Sequence, residues 1–231
     1  QLVQDAVRHG VEVRPVDVNA SREESSLERC EDGSAAVRLG LDRVKGLAAA
    51  AAGALVAARE SGGGYRSVQD LAERAGLDRA ALSALAAADA LAGLAGHRFR
   101  ARWAVAGVEA PEGLFRSMTR YEALPMLGRP AEGQDIRADY ESLGLTLGRH
   151  PMALLRERFS RRRYVTAGEL AAAGNGARVR VAGLVVTRQR PGSASGVTFV
   201  TLEDETGQIN LVVWKATAEA QRRALLSARL M

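Results

Sequence analysis

Residues Val197–Trp214 read Val-Thr-Phe-Val-Thr-Leu-Glu-Asp-Glu-Thr-Gly-Gln-Ile-Asn-Leu-Val-Val-Trp, two alternating apolar runs hinged on a short acidic segment. A period of two in side-chain character is the pattern of a half-buried strand, so the stretch predicts a hairpin with one face turned to a core. Glu203-Asp-Glu-Thr-Gly207 supplies the connection, and Gly207 is expected to take a positive φ there at no steric cost. A third alternating run, Arg178–Arg190, precedes the hairpin, with Val179, Val181, Gly183, Val185 and Thr187 expected on one face and the Gly192–Gly196 loop between. Ala216–Ala228 is then expected to be helical. Three consecutive strands followed by a helix are the order of a small nucleic-acid-binding barrel up to its fourth strand.

The rest of the chain has a different texture. Leu2–Arg8 carries apolar residues at helical spacing, and Val11, Val13, Val16 and Val18 form a short extended run broken by Pro15. Asn19–Ser34 is polar and reads as a surface loop. Helices are expected over about Ala48–Glu60, Ser67–Ala75, Asp78–Leu91 and Phe99–Ala106, with Ser67 and Asp78 as N-caps and Asp70 completing a carboxylate capping box. A Gly/Pro-containing stretch follows, in which Leu114, Phe115, Tyr121, Leu124 and Met126 suggest a packed linker. Ile136–Leu143 is expected to be helical, and His150-Pro151 reads as the start of another helix that runs to about Phe159. The predicted class is α+β, an all-α helix-hairpin-helix region followed by a partial OB-fold barrel, at a length that allows two cores. The boundaries fall at 1–35, 36–106, 107–170 and 171–231.

The net charge of +5 is carried almost wholly by arginine, since Lys45 and Lys215 are the only lysines among 32 basic residues. Guanidinium forks suit phosphate, although a GC-rich genome would give the same arginine and alanine excess. The single cysteine, Cys30, has no partner for a disulfide or a CxxC metal site, so a reducing cytoplasm is expected. No apolar run approaches the ~18 residues of a membrane span, and the N-terminus is not that of a secretory signal.

Two surfaces are candidates for chemistry. Leu41-Asp-Arg-Val-Lys-Gly-Leu-Ala48, followed by a run of alanines, has the spacing of a helix-hairpin-helix turn, whose backbone amides and helix N-terminus attract a phosphate. Arg43, Lys45, Gly46 and Leu47 are therefore expected to meet DNA. Ala48 stands where such motifs usually place a second glycine. In the barrel, Phe199 and Trp214 are the aromatics available for base stacking, and Arg188 and Arg190 flank the loop between the first two strands. The pattern leaves open whether the two aromatics face the core or the solvent. Glu203, Asp204 and Glu205 could suggest a Mg²⁺ site, but acidic residues are ordinary turn formers. His9, His97 and His150 are scattered, so no metal site and no catalytic residue is assigned.

Four segments, residues 9–21, 38–47, 139–152 and 181–193 with 199–214, together resemble the bacterial C-family DNA polymerases, of the DNA polymerase III alpha type. The Arg188-Gln-Arg-Pro-Gly-Ser193 run and the ending Asn210-Leu-Val-Val-Trp214 look like the error-prone, ImuC-type branch. The resemblance implies a piece that begins in the last part of the fingers domain and ends inside the OB-fold, with the palm carboxylates and their Mg²⁺ upstream. It implies contact with duplex DNA and with single-stranded template, translesion synthesis after damage, and a sliding clamp and accessory mutagenesis proteins as partners of the parent. No cofactor is expected on this piece, which should not polymerise alone. Two other readings compete: a stand-alone DNA-binding protein, and the tRNA-binding OB domain of an aminoacyl-tRNA synthetase, which has a similar hairpin. The Arg38–Leu47 segment weighs against the latter.

Overall fold

A computed structural model of the chain describes residues 2–108, 126–193 and 196–231. The chain divides into two units, Gln1–Leu147 and Gly148–Met231.

The first unit opens with α1 (Leu2–Arg8), β1 (Glu12–Arg14), β2 (Ser26–Arg29) and β3 (Ala35–Arg38). The strands form a small sheet ordered β1-β3-β2, with β3 parallel to β1 and antiparallel to β2. The expected surface loop at 19–34 is thus part strand, and the reason it does not read as one is energetic. Leu27 is 76 % exposed, so β2 has little apolar burial and is held by its ladder and by charge. Arg14 Nη1 and Arg38 Nε each donate to the Glu28 carboxylate at 2.8 Å. These pairs, with Arg38 the larger influence, hold Glu28 down to about 2. Within the same stretch Ser21 is wholly buried, its hydroxyl donating to the Leu39 carbonyl and accepting from the Asp17 amide.

Helices α2 (Ala49–Gly62), α3 (Val68–Ala75), α4 (Arg79–Ala87), α5 (Ala92–Ala95), α6 (Arg98–Ala106) and α7 (Glu132–Ser142) complete this unit. In α3 the buried residues Val68, Leu71, Ala72 and Ala75 follow the i, i+3, i+4, i+7 stripe that one packed helix face requires. Ser67 caps α3 by accepting from the Asp70 amide, and Asp78 caps α4 by accepting from Ala81. Asp70 reaches back to the amide of Arg66 rather than of Ser67 itself, so the capping box is displaced by one residue. Leu39, Leu41, Leu55, Leu71, Leu82, Leu85 and Leu91 fill the core. Arg98 is buried, yet it donates to the Ala87 carbonyl and to Asp135 and Asp139 on α7, so its own charge is paired. Asp89 takes φ 58°, the left-handed conformation that aspartate tolerates better than most residues. It makes a turn between α4 and α5 where the sequence has no glycine to announce one. Of the expected packed linker, Met126 is 99 % exposed, and Leu114, Phe115, Tyr121 and Leu124 lie outside the described residues.

The second unit runs α8 (Pro151–Ser160), β4 (Tyr164–Val165), α9 (Ala167–Ala171), β5 (Arg180–Val181), β6 (Leu184–Gln189), β7 (Thr198–Glu203), β8 (Gln208–Val213), α10 (Lys215–Ala220) and α11 (Arg222–Ser227). His150 caps α8, its ring accepting from the Met152 amide, with Pro151 in the first turn as proline prefers. The three long strands form an antiparallel sheet ordered β6-β7-β8, and the short pair β4-β5 is parallel. The expected first strand is therefore two pieces, and the expected C-terminal helix is also split, at Gln221. Residues 229–231 return to the free side of β6, where Leu184 and Leu230 form an antiparallel bridge and Gly183 exchanges backbone bonds with Met231 at 2.9 and 3.0 Å. Val200, Leu202 and Ile209 bury one face of the sheet against Leu225.

The β7–β8 turn does not use a left-handed Gly207, contrary to expectation. Asp204 does that work. Its carboxylate is wholly buried and accepts from the Thr206 amide (2.8 Å) and hydroxyl (2.7 Å), from the Gly207 amide (3.1 Å) and from the Ala167 amide at the start of α9 (2.8 Å). Arg156 of α8 donates to it at 3.2 Å and grips Glu205 with a 2.5 Å bond. Burial pushes the Asp204 carboxyl up, but the hydrogen bonds outweigh it and the group lies below its usual range; Arg156 lowers Glu205 likewise. A carboxylate with a depressed pKa stabilises the fold above its unfolded value and loses that contribution as protons reach it. Hydrogen-exchange protection of the β7 and β8 amides should therefore be flat above about pH 5 and fall below about pH 4. Asp204→Ala should destabilise this unit by about 3 kcal/mol or more, measured by denaturant unfolding, because it leaves four backbone or hydroxyl donors without their acceptor and removes one of the two carboxylates that hold Arg156.

Candidate nucleic-acid interface

In the first unit the Leu41–Ala48 segment folds as a single 3₁₀ turn (Leu41–Arg43), a left-handed Gly46 at φ 87°, and then α2. Leu41 and Val44 are the buried apolar pair of the motif, at 0 % and 2 % exposure. Leu47 is half-buried and packs against the same core, so it positions the turn rather than meeting a ligand. Helix α2 begins at Ala48 with no side-chain cap, and Lys45, Gly46, Ala48, Ala49 and Ala50 are all exposed. An uncapped N-terminus flanked by a cation has the electrostatics that favour an anion. Lys45 is not swinging free: its amide donates to the Ser142 carbonyl at 2.8 Å and its Nζ to the Tyr140 carbonyl at 3.0 Å, at the C-terminal end of α7. One ammonium bond to a carbonyl fixes its position and leaves two donors for a phosphate. Arg43 is exposed and lies 3.7 Å from its neighbour Asp42.

In the second unit the strands separate the candidate residues by face. Thr198, Val200 and Leu202 point inward, so Phe199 points outward at 42 % exposure, opposite Val212 on β8 and Gln189 on β6. Trp214, at 67 %, follows directly after β8. Both aromatics are thus solvent-facing, as stacking platforms have to be. The two arginines part company. The register between β6 and β7 slips between Val185 and Thr187, which turns Thr187 outward opposite Thr201 and sets Arg188 opposite the buried Val200. Arg188 is half-buried and its guanidinium donates to the Ala228 carbonyl after α11, so it ties the C-terminal residues to the sheet. Arg190 is exposed beyond the end of β6. A methyl group built on Gly196 would lie 3.5 Å from the Arg190 guanidinium and 3.1 Å from the Lys215 side chain, which places these two cations beside each other at the loop between β6 and β7.

The outer surface thus gathers Phe199, Val212, Trp214, Arg190 and Lys215. The sequence reading missed Lys215 and Val212, though the signal was present: Val200, Leu202 and Ile209 are the more apolar row, so the alternate row faces solvent. Glu203, Asp204 and Glu205 do not fit a metal, because Asp204 and Glu205 are committed to Arg156 and to backbone donors. Among the described residues no cluster of His, Cys, Asp or Glu could hold a metal ion. The different roles of the two arginines have a measurable consequence. Arg188→Ala should cost about 1–2 kcal/mol of stability through an unpaired carbonyl and lost stem packing, whereas Arg190→Ala should change it by less than about 0.5 kcal/mol, both read by chemical denaturation.

Residues 10–101 match a helix-hairpin-helix motif family, and residues 179–227 match an OB-fold nucleic acid binding domain. The whole chain aligns with proteins named error-prone DNA polymerase: 60 % identical over 231 residues in Alkalilimnicola ehrlichii, 54 % over 249 in Methylococcus capsulatus and 52 % over 236 in Azoarcus sp.. In each case it covers 100 % of this chain and 22–24 % of the relative. The chain thus spans under a quarter of the length of the curated relatives it matches. None of its described helices is long and apolar enough to cross a membrane. From end to end, this chain is homologous to a segment of error-prone DNA polymerases, an α+β segment in which a helix-hairpin-helix region is followed by an OB-fold nucleic-acid-binding domain.

Proposed function

We propose that this chain is the DNA-gripping segment of an error-prone, C-family polymerase of the ImuC type, acting in damage-induced translesion synthesis in the cytoplasm. The observation that carries the reading is the outward-facing Phe199 and Trp214 with Arg190 and Lys215 beside them, on a chain whose relatives are named as polymerases. On this reading the outer sheet face holds single-stranded template, bases stacked on the two rings and phosphates on the two cations. The Lys45-Gly46 turn and the start of α2 hold a duplex phosphate, with Arg43 adding charge. Neither contact reads base identity, which suits an enzyme that must accept any sequence and damaged template. Nucleotide addition belongs to the parent, with Mg²⁺ held by palm carboxylates on another part of it. A sliding clamp and accessory mutagenesis proteins complete the assembly through the parent. The chain by itself extends no primer.

Fluorescence anisotropy with labelled oligonucleotides tests both surfaces. Phe199→Ala with Trp214→Ala should weaken single-strand binding by about 1–3 kcal/mol per stacked base while leaving the salt dependence unchanged. Lys45→Ala should weaken duplex binding equally for unrelated sequences and reduce the slope of log affinity against log salt by about one. Unchanged duplex affinity at low salt would remove Lys45 from the interface. Tighter binding of tRNA than of primed DNA would favour the synthetase-like reading instead.

A further inference from the structure

Between residues 156 and 180 the sequence carries seven arginines and two acids. Arg156 is spent on Asp204 and Glu205. Of the two acids, Glu157 pairs with Arg161, and Glu169 closes the capping box of α9 with Thr166. Arg158, Arg161, Arg162, Arg163, Arg178 and Arg180 are all exposed. The fold brings the two ends of this stretch together. Strand β4 pairs in parallel with β5, Tyr164 opposite Arg180 and Val165 opposite Val181, and Arg180 donates to the Arg162 carbonyl at 3.5 Å. Val181 packs on the core of the unit, so the alternation along β5 puts Arg180 on the solvent side. The pairing thus brings Arg180 beside the Arg161–Arg163 turn that leads into β4, and these exposed cations lie on one stretch of the unit's surface.

Clustered like charges repel one another and lower the stability of the fold that holds them. One member carries a further cost. Arg163, the last residue of the turn between α8 and β4, takes the left-handed conformation at φ 60°, which glycine adopts with less strain. A bound polyanion would offset the repulsion among these side chains, whereas the strain at Arg163 is local to its backbone. We propose that the Arg158–Arg163 ridge, with Arg178 and Arg180, is a second nucleic-acid contact of this unit, a sequence-independent track for the sugar-phosphate backbone, separate from the aromatic face of β7 and β8. The inference extends the nucleic-acid-binding reading of that unit and depends on it.

The test uses the whole chain, a labelled single-stranded oligonucleotide and its duplex, and binding measured across a salt series. R162Q/R163Q/R178Q should weaken single-strand binding several-fold and lower the salt slope by about two, at about 0.7 per lost contact. R163G should lower the slope by a fraction of that while raising thermal stability, a combination that a purely structural role does not give and that survives if the triple variant fails to fold. R222Q/R223Q on α11, which removes two charges to the triple variant's three, controls for a general effect of net charge. An unchanged slope in the triple variant or in R163G, or an equal loss in the α11 control, overturns the proposal. If F199A/W214A weakens binding while the arginine variants do not, the ridge falls and the stacking face stands. If the unaltered chain binds neither oligonucleotide, both fall.

Discussion

The OB unit depends on one buried carboxylate. Asp204 takes four donors from its own turn and from the start of α9, and a fifth from Arg156 of α8. A buried charge is tolerable only when its lone pairs are filled, and filling them here draws α8, α9 and the β7–β8 hairpin to a single point. The hairpin register follows from it, and with the register the separation of inner from outer side chains. The aromatic face therefore rests on an acid that is itself hidden from solvent.

The helical unit solves a similar problem by different means. Its sheet is short and poorly covered, with Leu27 in the open, so Glu28 bound by two arginines replaces apolar burial as the reason β2 stays beside β3. Arg98 adds a charged tie between α4, α6 and α7 to the apolar packing of α4 on α6. Ser67, Asp78 and His97 each cap a helix from within the chain, while α2 begins without a side-chain cap and beside a lysine. A helix end left without an internal partner, in a chain that caps its neighbours with care, is where an external anion fits best.

Arginine placement shows how little charge counts reveal by themselves. Arg188 and Arg190 are two residues apart and look equivalent in the sequence, yet a one-residue slip of register in β6 commits the first to a backbone carbonyl and leaves the second beside Lys215. Arg156 and Arg158 divide in the same way, one closing the Asp204 site and the other exposed. Basic residues in this protein are structural or available according to which side of a strand or helix they reach.

The sequence by itself determined the elements whose signal is local. The alternation of Val197–Trp214, the stripe of α3, the caps at Ser67, Asp78 and His150, and the Gly46 turn all depend on neighbours a few residues away, so periodicity and side-chain chemistry were enough. Tertiary structure alone decided the rest, because the partners are far apart in the chain. β2 needs arginines from β1 and β3. The outward aim of Phe199 and Trp214 needs the core that Leu225 closes. The acidic hairpin became a structural anchor and not a metal site only when Arg156, 48 residues earlier, arrived to neutralise it. At the β7–β8 turn the hydrogen bonds that Asp204 accepts, from as far away as Ala167, hold the conformation without a left-handed Gly207.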